Sequence, residues 1–173
     1  MTNFKSLVDQ TKTVLTSNPE QAIAKFSVEG FESDNLYRKV KARNFEVAVD
    51  EPEALGGTDK APNPVEYALI SLATCQEITY RLYADSLGIP LTDVKVNLEG
   101  ELDLRGFFGV DSSIRPGYQK ITGSVVFDSD ASEEQLTKLK EIVDKHCPVL
   151  DLFTKGVDVT IDPVFNKREL SAA

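Results

Sequence analysis

Apolar residues recur at helical spacing in some stretches of the chain and alternate with polar ones in others. Phe4, Leu7, Val8, Val14 and Leu15 form one stripe, which predicts a short amphipathic helix from Asn3, ended at Asn18-Pro19. Residues 22–29 alternate, with Ala24, Phe26 and Val28 opposed to Lys25, Ser27 and Glu29, which predicts a half-buried strand. Residues 30–35 are turn-rich; residues 36–41 form the next strand, and Phe45, Val47 and Val49 give a third. Strand, turn, strand with a period of two indicates an antiparallel meander with one wet face.

The strongest helical signal begins at Asn63. Asn63 is a suitable N-cap, Pro64 needs no donor at the first helical position, and Glu66 stands where it can bond back to the cap. Gly88 and Pro90 end the helix after Leu87. No charge occurs from Tyr67 to Cys75, so the helix reads as apolar nearly all round and therefore buried nearly all round.

Val94, Val96 and Leu98 alternate into another strand, and Ile121, Val125 and Phe127 mark one more. Between them, residues 105–117 form an irregular segment whose adjacent Phe107 and Phe108 are expected to cover a pocket or another subunit. Ser132 and Gln135 make a capping box, with Leu136, Leu139, Ile142 and Val143 as the buried stripe of a helix reaching His146. A short helical run from Cys147-Pro148 to Lys155 follows, then a last strand carrying Val157, Val159 and Ile161, with a mobile tail after Phe165. No repeat or linker interrupts this order. It predicts a single α+β domain over residues 1–173, an antiparallel sheet wrapped around two central helices, with residues 1–18 as a helical extension.

Charge narrows the partners. A formal net charge of −9 disfavours nucleic acid and anionic membranes. No apolar run approaches the ~18–20 residues that span a bilayer, and the polar start is unlike a secretory signal; the expected location is cytoplasmic. The chain has two cysteines and one histidine, too few for a structural zinc site.

The two cysteines carry the candidate chemistry. Cys147 precedes Pro148 and so lies at a helix N-cap, where backbone N–H groups and the dipole favour a thiolate. Its alternative role is a small hydrophobe at a helix junction. Cys75 has no helix N-terminus beside it. It is either an inert core thiol or a thiolate held by a cation, for which Arg43, Arg38, Arg81 and Arg115 are the choices. Glu66 serves the capping box or, through an intervening arginine, orients that cation. His146 adjoins Cys147, but neighbouring side chains on a helix do not face each other, so it reads as a histidine favoured by the helix C-terminus.

Arg43-x-Phe45, Asp50-Glu51-Pro52, Leu55-Gly56-Gly57, Pro62-x-Pro64-x-Glu66 and Cys75 together resemble the OsmC/Ohr family, as do Arg105-Gly106-Phe107, Arg115-Pro116-Gly117 and Cys147-Pro148-Val149. The resemblance spans roughly residues 22–161. It implies an intertwined homodimer with active sites at the subunit interface. It also implies a thiol-dependent peroxidase acting on organic hydroperoxides and hydrogen peroxide. Cys75 would be the peroxidatic cysteine, Cys147 the resolving one, and Arg43 and Glu66 the pair that activates the thiolate. No cofactor is implied beyond an external thiol reductant, such as a dihydrolipoyl group or small dithiol. Val65 stands where Ohr-type members carry glutamate, and Glu66 follows one residue, or about 100° of helix, later. That places the chain in a broader OsmC-like branch. The alternatives are a binding module for a small hydrophobic molecule, held beside Phe107 and Phe108, and a purely structural stress protein.

Overall fold

The computed structural model describes residues 4–165. The chain is α+β, with helices α1 (Lys5–Ser17), α2 (Pro64–Leu87), α3 (Leu104–Phe107), α4 (Glu133–His146) and α5 (Pro148–Lys155). The strands are β1 (Glu29–Asp34), β2 (Tyr37–Ala42), β3 (Phe45–Val49), β4 (Asp93–Leu102) and β5 (Tyr118–Asp128). They form two antiparallel sheets within the protomer, β1-β2-β3 and β4-β5.

The core lies where α2 and α4 pack on β4 and β5. Tyr80 and Ala84 of α2, Val94 and Val96 of β4, and Leu139 and Val143 of α4 are buried together with Ile89 and Leu91. The capping chemistry of both long helices is as the sequence predicts. Asn63 Oδ1 accepts from Glu66 N–H at 2.8 Å, and Glu66 Oε2 accepts from Asn63 N–H at 2.8 Å. Ser132 and Gln135 make the same reciprocal pair. Gly88 closes α2 in the left-handed conformation, at φ 68°.

Three expectations are corrected. The first strand is residues 29–34, not 22–29; residues 23–28 pair with nothing in the described chain, and Phe26 is 92% exposed. Likewise Val157, Val159 and Ile161 alternate as a strand does but join neither sheet and are exposed. In both segments the period-two pattern is present, but the described residues supply no ladder to complete it. Nor is α2 buried all round: only Leu72, Thr79, Tyr80 and Ala84 are buried, while Ile78 is 61% exposed. Ile70 and Ile78 mark a face of α2 that is left uncovered in the described chain.

The N-terminal helix lies on α2 rather than on a sheet. Phe4 N–H donates to Asp85 Oδ2 at 2.9 Å, and Lys5 Nζ reaches the Ser86 carbonyl at 3.3 Å. The tail after Phe165 lies outside the described residues.

The loop that delivers the chain to α2 is built around one carboxylate. Asp50, 1% exposed, accepts from Glu51 N–H, Thr58 N–H, Lys60 N–H and the Thr58 hydroxyl at 2.6–3.1 Å. These bonds favour the charged form, the Thr58 hydroxyl most, and hold the Asp50 pKa down at about 2. Gly57 completes the loop, because a Cβ there would lie 1.8 Å from the Glu51 carbonyl oxygen.

Candidate active site at the helix junction

Cys75 stands about three turns into α2, half-buried. Cys147 stands between α4 and α5, 1% exposed. The residue before a proline is turned away from helical geometry, and Cys147 has φ −75° and ψ 110°. The helix therefore breaks at Cys147, and α5 restarts with Pro148 at its first position. This break and the packing of α5 on α2 bring the two thiols near each other, close enough for the Cys75 sulfur to act on the Cys147 thiol. Both are free.

Cys147 Sγ also accepts from Leu150 N–H at 3.5 Å. The N-cap position was expected to favour a thiolate there. Instead burial dominates and pushes the Cys147 thiol up, the Cys75 sulfur adds to this, and the Leu150 and Val149 N–H groups oppose it only in part. Cys147 is held as a thiol.

Cys75 opens onto a cavity of about 460 Å³, shared with Thr79, Tyr83, His146 and Pro148. The His146 ring lies 5.0 Å from that of Tyr83, and its Nδ1 is 2.7 Å from the Ile142 carbonyl. His146 is, as the sequence predicts, an exposed histidine at the end of α4, and it also lines the cavity onto which Cys75 opens.

The other predicted site residues do not gather at Cys75 within one protomer. Arg43 sits in the β2–β3 turn at φ 56°, exposed, its guanidinium 5.1 Å from the Phe45 ring centre. Arg38 donates to the Asn35 and Tyr37 carbonyls. Arg81 pairs with Asp85 at 2.7 Å and donates to the Leu91 carbonyl. Arg115 lines a different groove, of about 620 Å³, with Val65, Leu72, Val96 and Tyr118. Among the described residues no arginine or lysine lines the cavity at Cys75. Glu66 is held in its capping box. Phe107 and Phe108 stack edge to face with centroids 5.0 Å apart, each 59% exposed, and line none of the three cavities described in the chain. The expectation that they wall the site is thus not met in the protomer: α3 carries them outward.

Among the described residues no cluster of histidine, cysteine and carboxylate side chains could hold a metal ion. No helix among them is long and apolar enough to cross a membrane.

A family model described as OsmC-like protein matches residues 57–162, a span that contains both cysteines and the α4–α5 break. No curated protein matches the chain. Among solved structures, an OsmC-like protein from Mycoplasma pneumoniae is similar with a TM-score of 0.67 at 19% identity, covering 76% of this chain and 89% of that one. An organic hydroperoxide resistance protein OsmC from Legionella pneumophila gives 0.59 at 18% identity, covering 79% and 93%. An organic hydroperoxide resistance protein from Elizabethkingia anophelis, with thiocyanate bound, gives 0.60 at 17% identity, covering 77% and 90%. At these identities the likeness establishes the fold.

Proposed function

Because the chain belongs to the OsmC-like protein family, we propose that it is a thiol-dependent peroxidase. It would reduce organic hydroperoxides and hydrogen peroxide through Cys75, with Cys147 as the resolving cysteine. The observation that carries this reading is the nearness of two free thiols at a helix break, one half-buried beside a cavity and the other sealed.

The chemistry follows from that nearness. The Cys75 thiolate attacks the distal peroxide oxygen; an S–O bond forms, the O–O bond breaks, and alcohol or water leaves. Cys147 then gives up its proton as its sulfur attacks the sulfenic sulfur; an S–S bond forms, the S–O bond breaks, and the proton leaves with the hydroxide as water. An external dithiol, of the dihydrolipoyl type, returns both sulfurs to the reduced state. Cys75 needs a cation that the described protomer does not place beside it. We assign that cation to Arg43 of a second copy, oriented by Glu66, in an intertwined homodimer. The exposed faces of α2 and the two unladdered segments support such an assembly.

The test is turnover of cumene hydroperoxide with dithiothreitol. Parent protein turns over and Cys75→Ser does not. A Cys75→Ser variant at the parent rate would refute the proposal.

The groove of about 620 Å³, with Val65, Leu72 and Val96 among its walls, favours a second reading, a binding protein for a small apolar molecule with inert thiols. Under it, two free thiols are titrated both before and after a peroxide pulse.

A further inference from the structure

We infer that His146 is the acid that protonates the oxygen leaving from the peroxide at Cys75. The inference rests on the peroxidase reading above and adds a residue that it lacks.

The cleavage needs a proton. When the Cys75 thiolate takes the distal OH, sulfur is oxidised by two electrons and the peroxide is reduced to an alkoxide. An alkoxide is a poor leaving group unless a proton reaches it as the O–O bond breaks. The side chains around the cavity offer few sources. The Ser71, Thr74 and Thr79 hydroxyls already donate to the Ala68, Ile70 and Cys75 carbonyls at 2.7–2.8 Å. Cys147 keeps its proton for the second step.

His146 lines the same cavity as Cys75. A carbonyl oxygen only accepts, so Nδ1, 2.7 Å from the Ile142 carbonyl, carries a hydrogen. That bond orients the ring and leaves Nε2 for the exchange. Imidazole is the side chain that holds and gives a proton near neutrality. In the imidazolium form Nε2–H passes its proton to the alkoxide and the alcohol leaves; the neutral ring regains a proton from water, to which His146 is exposed.

The experiment compares two peroxides with parent, His146→Gln and Tyr83→Phe proteins. tert-Butyl hydroperoxide releases an alkoxide that needs the proton; peracetic acid releases a carboxylate that does not. For His146→Gln, kcat/KM falls about 10²-fold with tert-butyl hydroperoxide and less than about threefold with peracetic acid. Tyr83→Phe, on the same wall, leaves the ratio between the two peroxides at the parent value. Equal losses on both peroxides, no loss on either, or a selective loss in Tyr83→Phe alone would overturn the assignment. Should His146→Gln not fold, His146→Ala with added imidazole serves, rescue being expected with the alkyl hydroperoxide only and its absence counting against the role. A parent protein inactive toward both peroxides overturns the peroxidase reading, and the assignment with it.

Discussion

The Cys75 sulfur lies close enough to Cys147 to push its thiol up, one reaching in from the middle of α2 and the other from the gap between α4 and α5. Disulfide formation therefore needs only an approach of two neighbouring sulfurs. One equivalent of hydroperoxide is expected to consume both free thiols of the parent chain, measured by thiol titration under denaturing conditions. In Cys147→Ser the same pulse leaves a sulfenic acid on Cys75, which a dimedone adduct reveals by mass. Two free thiols persisting in the parent would rule out the pairing.

Arg43 provides a test of where the cation comes from. Arg43→Ala is expected to lower kcat/KM about 10²-fold, the usual effect of removing one charge-stabilising donor. Neither Arg43→Ala nor Cys75→Ser homodimers should be active. After unfolding and refolding together, the mixture should regain up to about a quarter of parent activity. If the chain pairs as proposed, one site of each mixed dimer combines an intact Cys75 with the intact Arg43 of the other subunit. A mixture as silent as its components would place both residues in the same chain.

Asp50 makes stability depend on pH in acid. Its carboxyl is held at about 2, against an ordinary 3.8. A depressed carboxyl contributes stability that is complete above the ordinary value and is lost as pH falls toward the folded one. The unfolding midpoint in urea should therefore drop between about pH 4 and pH 2. Asp50→Asn should be less stable than the parent at pH 7 and should flatten that drop. A parallel pH dependence in the two proteins would exclude Asp50 as its source.

Leu139 is fully buried in the core against α2 and β4. Leu139→Ala should destabilise the chain by about 2–5 kcal/mol, through lost transfer energy and the cavity left behind. Urea unfolding at unchanged m-value checks this, and a change under 1 kcal/mol would show that the core collapses around the gap.

The helices were legible in the sequence because their signals are local. Asn63 and Glu66, Ser132 and Gln135, and Gly88 each act within one turn of chain, and each does in the structure what its spacing predicts. The segments at 22–29 and 157–161 show the limit of that locality. Their alternation is real, but a strand also needs a neighbour, and alternation does not say whether the same protomer supplies it. Arg43 illustrates a similar limit, since a residue in a hairpin turn can be read as such without revealing what the hairpin reaches. The electrostatics of Cys147 were misjudged for a different reason. An N-cap favours the thiolate, but burial favours the thiol, and only coordinates show which is larger. Asp50 was legible as part of a motif, although four donors converging on one carboxylate could not be read from a single sequence.

Pro148 has no chemistry of its own, yet it determines where the Cys147 sulfur is kept. With alanine in its place, α4 and α5 would be free to run together as one unbroken rod. Cys147 would then become an ordinary point on the rod's circumference, carried off its present bearing toward Cys75. In this protein the imino acid acts as a mechanical stop, and the spacing of two sulfurs is set by a ring that carries no reactive group.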